Sequence, residues 1–456
     1  NTATVTVNAL PTITGILTVC DNSTTQLTGS GTPAVSNPWV SSNTAVATVS
    51  STGLVTGISA GTSVITYTNS NGCSRTATVT VYALPSISGT LTVCDNSTTQ
   101  LTGSGTPAAS NPWVSSNTAV ATVSSTGLVT GVSAGSSVIT YTNSNGCSIT
   151  ATVTVFALPS ITGTLTVCSG STTQLTGSGT PAASNPWVSS NTAAATVSNT
   201  GLVTGVSAGS SVITYTNSNG CSTTATVTVY ASPSISGTLA VCIGLTTQLN
   251  GSGTPAASNP WVSSNTGVAT ISNTGLVTGI SAGASVITYT NNNGCSTTAT
   301  VTVYSTPTIS GTLSVCVNST TQLTGSGTPA ASNPWVSSNT AVATVSNTGL
   351  VTGISAGTSV ITYTNIAGCS NTATVTVNAL PTITGILTVC DNSTTQLTGS
   401  GTPAASNPWV SGTPGVATVS NTGLVTGVSA GSSVITYTNS NGCSRTATVT
   451  VYALPS

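Results

Sequence analysis

Charge is the scarcest property of this chain. Of 456 residues only 1% are Asp, Glu, Lys or Arg, and His and Met are absent. The five charged residues are Asp21, Asp95, Asp391, Arg75 and Arg445, so Lys and Glu are missing altogether. A typical soluble protein carries roughly 25% charged residues. Two lone arginines cannot neutralise a run of phosphates, which excludes nucleic acid as a partner. General acid–base catalysis is excluded as well, since no region combines a histidine, a lysine or a pair of carboxylates. No cofactor or metal site suggests itself. Long apolar runs are also lacking: nothing approaches the roughly 18–20 residues of a membrane-spanning helix. Solubility has to come from Ser, Thr and Asn.

What the chain has in abundance is itself. Trp39, Trp113, Trp187, Trp261, Trp335 and Trp409 are evenly spaced, each number exceeding the last by 74, and each lies inside Asn-Pro-Trp-Val-Ser. Pro11, Pro85, Pro159, Pro233, Pro307 and Pro381 keep the same interval. Two cysteine series do so too: Cys20, Cys94, Cys168, Cys242, Cys316 and Cys390, and Cys73, Cys147, Cys221, Cys295, Cys369 and Cys443. A fixed period of this kind decides the architecture before any local reading does. It divides the chain into a leading stretch, 1–10, and six repeats: 11–84, 85–158, 159–232, 233–306, 307–380 and 381–456. Residues 1–34 recur unchanged at 371–404, so a five-repeat period is superimposed on the short one. Residues 1–10 read as the last strand of a preceding repeat, and Asn1 begins no signal peptide. The expectation is a window cut from a longer array; the alternative is a donor strand that completes a neighbouring molecule.

Within one repeat the pattern is entirely β. Thr12–Cys20 is a β-branched first strand, followed by turn chemistry at Asp21-Asn22-Ser23 and a second strand at Thr24–Thr28. A Gly/Ser/Pro/Asn-rich loop, Gly29–Pro38, leads to a third strand at Trp39–Ser41. Ala45–Val49, Leu54–Ile58, Ser63–Thr68 and Arg75–Val81 complete seven short strands, the last two alternating as half-buried strands do. No window has helical periodicity. Seven short strands with turns every 8–12 residues predict a β-sandwich of immunoglobulin type.

The ordered phrases Trp39-Val40-Ser41-Ser42-Asn43, Val46-Ala47-Thr48-Val49, Gly53-Leu54-Val55-Thr56-Gly57 and Ser59-Ala60-Gly61 resemble the bacterial immunoglobulin-like domain of group 2. The match recurs in all six repeats. It looks closest to the Thr-rich, cysteine-bearing versions in large surface and secreted proteins of Bacteroidetes. The resemblance implies an all-β tandem array forming an extended rod or filament, often an adhesin stalk, with no catalytic residues to carry over. Some members of the family bind calcium or sugars, but this chain almost lacks the acids for calcium.

Twelve regularly paired cysteines without metal-type spacing indicate disulfides and an oxidising, extracellular or cell-surface setting. On the topology that the resemblance implies, two pairings stay open. One staples adjacent repeats, as in Cys20–Cys147, Cys94–Cys221, Cys168–Cys295, Cys242–Cys369 and Cys316–Cys443, with Cys73 and Cys390 paired beyond the window. The other closes each repeat on itself, as in Cys20–Cys73. The tryptophans are either core packing residues or stacking platforms for sugars. Thr-x-Thr runs such as Thr76-Ala77-Thr78-Val79-Thr80 have the look of ice-binding surfaces. A period this long, however, does not give the flat stack of short coils such surfaces usually use, so solvent-facing strand threonine is the plainer reading. Asn22, Asn96, Asn318 and Asn392 head N-glycosylation sequons that read equally well as turns. The function expected is a structural fibre or surface appendage that associates with itself, and no enzyme. The alternative is the stalk or multivalent binding region of an adhesin that recognises glycans or surfaces.

Overall fold

In the computed structural model, which describes residues 2–454, every element is a strand. The chain divides into two compact units, 1–231 and 232–456. The first complete repeat contains β1 (Ile13–Gly15), β2 (Thr18–Cys20), β3 (Thr24–Gly29), β4 (Trp39–Ser41), β5 (Ala47–Val49), β6 (Leu54–Gly57), β7 (Gly61–Thr68) and β8 (Ser74–Tyr82). The other five repeats carry the same eight strands at the interval set by the tryptophans. Each repeat is a sandwich of two four-stranded sheets, ordered β1-β3-β6-β5 and β2-β8-β7-β4.

The single first strand expected over Thr12–Cys20 is in fact two strands in opposite sheets. β1 pairs antiparallel with β3, whereas β2 pairs parallel with β8. The chain changes sheets just after Gly15, whose φ of 127° suits no β-branched residue. A Cβ there would lie 2.4 Å from the Gln26 carbonyl oxygen, so the crossing also needs the bare backbone. The fourth strand is shorter than expected because Asn43 turns the chain first. Its Oδ1 accepts from the Ala45 amide, and its carbonyl accepts from the Val46 and Ala47 amides.

Alternation then fills the core. Along β7, Ser63, Ile65 and Tyr67 point inward while Thr62 and Val64 face out. Leu27, Ala47 and Val55 from one sheet meet Val19, Trp39, Ile65, Tyr67, Val79 and Val81 from the other. Ser63 is the one buried serine of this repeat, and its hydroxyl is well used. It accepts from the Asn43 amide (3.0 Å) and lies 2.8 Å from the Ser41 hydroxyl. Ser41 in turn donates to the Ala47 carbonyl, tying β4 to β5 across the sandwich edge. Polar groups buried in this way stabilise only when their partners are present, as they are here.

Candidate functional site: the junctions between repeats

Because β2 runs parallel to β8, Cys20 lies beside Tyr82, at the end of its repeat where the chain leaves for the next one. Asp21 then donates its amide to the Tyr82 carbonyl (2.9 Å), fixing the end of β2 there. Cys73 immediately precedes Ser74, the first residue of β8. It therefore sits at the opposite end of a nine-residue strand, on the order of 25 Å away at about 3.3 Å per residue. A disulfide needs Cα atoms within about 7 Å, so Cys20 cannot reach Cys73.

Cys20 instead bonds Cys147 of the following repeat, with Cα atoms 5.6 Å apart. Cys94–Cys221 repeats this bond within the first unit, and Cys242–Cys369 and Cys316–Cys443 do so within the second. Cys168 and Cys295 are also disulfide-bonded. Cys73 and Cys390 are free thiols, half-buried and exposed respectively.

The receiving end of each bond is held by its own hairpin. Cys147 donates its amide to Asn143 Oδ1 (3.0 Å), and the Asn143 amide returns to the Cys147 carbonyl (3.0 Å). Gly146 takes a φ of 77° in the turn, as a tight reversal requires. Cys147 is fully buried, and Asn143 nearly so. The joint between the first two repeats is short, Ala83-Leu84-Pro85, and Pro85 is buried. Proline fixes one backbone angle and restricts the residue before it, so the junctions bridged by these four bonds combine a stiff peptide link with a covalent clamp.

The tryptophans belong to the cores. Trp39 is 7% exposed and pairs in register with Tyr67, their ring centroids 4.6 Å apart and tilted by 42°. The Tyr67 hydroxyl donates to the Gly31 carbonyl, anchoring the loop that precedes β4. Trp409 borders a cleft of about 260 Å³ that is also lined by Gln396, Leu397, Gly399, Pro403 and Tyr437. Sugar stacking needs an open ring face, and these rings have one face against tyrosine. Among the described residues, no group of three or more His, Cys, Asp or Glu could hold a metal ion. Nor is any helix among them long and apolar enough to cross a membrane, a statement that leaves strand-built barrels aside.

One surface escapes a reading of the sequence alone. The strand register sets threonines in rows on the outer face of the second sheet. Thr18, Thr80 and Thr62 lie abreast, then Thr78 and Val64, then Thr76, Thr66 and Val40, then Ser74 and Thr68. The signal is the Thr-x-Thr run itself; what sequence cannot supply is which strands lie side by side.

The model of the bacterial Ig-like domain (group 2) matches residues 2–81, 86–155, 159–229, 231–303, 302–377 and 381–451. Ice-binding protein 1 of Shewanella frigidimarina is 32% identical over 494 residues, which takes in 92% of this chain and 54% of that protein. The chain thus spans about half the length of this relative. Among solved structures, domains 4–9 of the surface layer protein SbsC align over 95% of both chains at 15% identity, with a TM-score of 0.17. Invasin, a bacterial integrin-binding protein, aligns over 83% of this chain and 81% of its own at 13% identity, with a TM-score of 0.19. Likenesses this low carry no argument about function. From its six successive matches, the chain belongs to the bacterial Ig-like domain family, group 2.

Proposed function

We propose that this chain is a length of structural shaft in an extracellular bacterial fibre or surface appendage, non-enzymatic and self-associating. The observation that carries the reading is the disulfide placed between neighbouring repeats rather than within them. A bond inside a repeat would serve that repeat's own stability; a bond across a junction fixes one repeat against the next. Persisting disulfides also favour an oxidising compartment, hence a secreted or surface location. With only 1% of residues charged, neighbouring shafts meet almost no like-charge repulsion. Their outer strands lack the charged side chains that normally keep β-surfaces apart. The expected result is lateral assembly: sedimentation at rising concentration gives species heavier than one chain, and electron microscopy of native material shows multi-stranded cables. Monomers at every concentration, with single threads in the micrographs, would contradict self-association.

A second reading, multivalent adhesion to a surface, draws on the threonine rows and on the name of the Shewanella relative. Threonine methyls and hydroxyls repeated at strand spacing, about 4.8 Å, could order water or meet a crystalline face. Valines at Val40 and Val64 interrupt the rows, 49% and 38% exposed. Thermal hysteresis or partition of the chain into growing ice would move the assignment to this reading, as would glycan binding for a sugar surface.

A further inference from the structure

The disulfides join repeats in a pattern with a mechanical consequence. Starting at Cys73, the chain climbs Ser74–Tyr82, passes the joint and reaches Cys94, twenty-one residues on. There it is bonded to Cys221. From Cys221 another twenty-one residues lead to Cys242, which is bonded to Cys369, and twenty-one more lead to Cys390. This is a continuous covalent line from Cys73 to Cys390 that omits residues 95–220 and 243–368. The remaining bonds, Cys20–Cys147 in the first unit and Cys316–Cys443 in the second, bridge junctions in the same way.

We infer that the junction disulfides form a covalent load-bearing rail, so that pulling on the shaft between Cys73 and Cys390 cannot lengthen it by unfolding its repeats. The stretches Cys73–Cys94 and Cys369–Cys390, one in each unit, are mostly strand: the first contains Ser74–Tyr82, Ile87–Gly89 and Thr92–Cys94, the second Ser370–Asn378, Ile383–Gly385 and Thr388–Cys390. β-strands rise about 3.3 Å per residue, against a limit of about 3.6 Å for a stretched chain, so the slack within these strands is roughly a tenth. The repeat bodies, carrying β3 to β7 and their loops, lie off this covalent line and take no axial load. In a chain without these bonds, each sandwich that opened would release most of its backbone as new length. This deepens the shaft reading and rests on it: the rail gives a tether whose length is fixed under tension.

The numbers separate the two cases widely. Through the rail, Cys73 and Cys390 can be drawn no further apart than about 240 Å; along the unbridged backbone they could reach about 1,100 Å. The free thiols of Cys73 and Cys390 are natural handles. The experiment is single-molecule force spectroscopy on the full chain, tethered through thioether links at these two cysteines. The oxidised protein is expected to stiffen at about 240 Å, the contour of the rail, with no repeat-sized extension steps before rupture. After reduction, which leaves thioethers intact, the same tether should extend several-fold, whether the repeats open stepwise or are already unfolded. The double substitution Cys94→Ser with Cys221→Ser breaks the rail while leaving the other disulfides, and should add at least about 300 Å. Equal extension in the oxidised, reduced and substituted forms would overturn the rail. The filament reading would then still stand or fall by microscopy, which does not depend on the pull.

Discussion

Replacing Trp261 by alanine is expected to open the fourth repeat locally, at a cost of about 3–5 kcal/mol. The ring is 6% exposed, and its centroid lies 4.5 Å from that of Tyr289, which is almost fully buried. It covers the end of a small core whose other members are mostly Val, Ile, Leu and Ala, so nothing nearby can expand into the space. A domain of this size has a total stability on the order of 5 kcal/mol, so most of it would be lost. Hydrogen exchange followed by mass spectrometry can read one repeat here. Ile243-Gly244-Leu245 and Asn291-Asn292-Asn293 distinguish its peptides from those of the others. Protection across the fourth repeat should fall by a factor of about 100 or more, since every ~1.4 kcal/mol is tenfold in the opening equilibrium. Unchanged protection would show the tryptophan to be a surface platform rather than a core residue.

The second large effect comes from adding a single methyl group. At Gly251 an added Cβ would lie 2.3 Å from the Tyr289 ring, and the ring has nowhere to go. It is packed against Trp261, and its hydroxyl donates to the Gly253 carbonyl. Gly251→Ala should therefore destabilise the repeat by about 3 kcal/mol, at the upper end for overpacking. Tyr289→Phe, which removes only the hydroxyl, should cost about 1 kcal/mol. Combining Gly251→Ala with Tyr289→Leu should cost less than the sum of the two single changes, because the smaller side chain removes the clash. Strict additivity in the same exchange measurement would mean that the glycine is not there for the ring.

These two residues show how much could be read without coordinates. The alternation in Ser63–Thr68 and Arg75–Val81 specifies strands, faces and even the inward tyrosine, because a period of two leaves little freedom once one face must be buried. Trp39 was ambiguous, since it heads a three-residue strand too short to show its own alternation. The split of the first strand was illegible for a different reason. Thr12–Cys20 is rich in β-branched residues from end to end, and only pairing with two different sheets reveals the crossing at Gly15. The junctions lay between these extremes. The cysteine spacing announces two classes of site, but any pairing between the classes satisfies it. The choice follows from β2 lying parallel to β8, which puts Cys20 and Cys73 at opposite ends of one repeat. That parallel contact joins the first and last parts of a repeat and leaves no local trace.

Peptide mapping under non-reducing conditions tests the clamp itself, and the fourth repeat again offers distinct sequences. Chymotryptic digestion releases a peptide around Cys242 carrying Ala240-Val241-Cys242-Ile243-Gly244-Leu245. It should be found linked to the peptide containing Ile366-Ala367-Gly368-Cys369, from the following repeat. Linkage to Asn292-Asn293-Gly294-Cys295 would close the repeat on itself and leave neighbouring sandwiches joined by nothing but a proline joint.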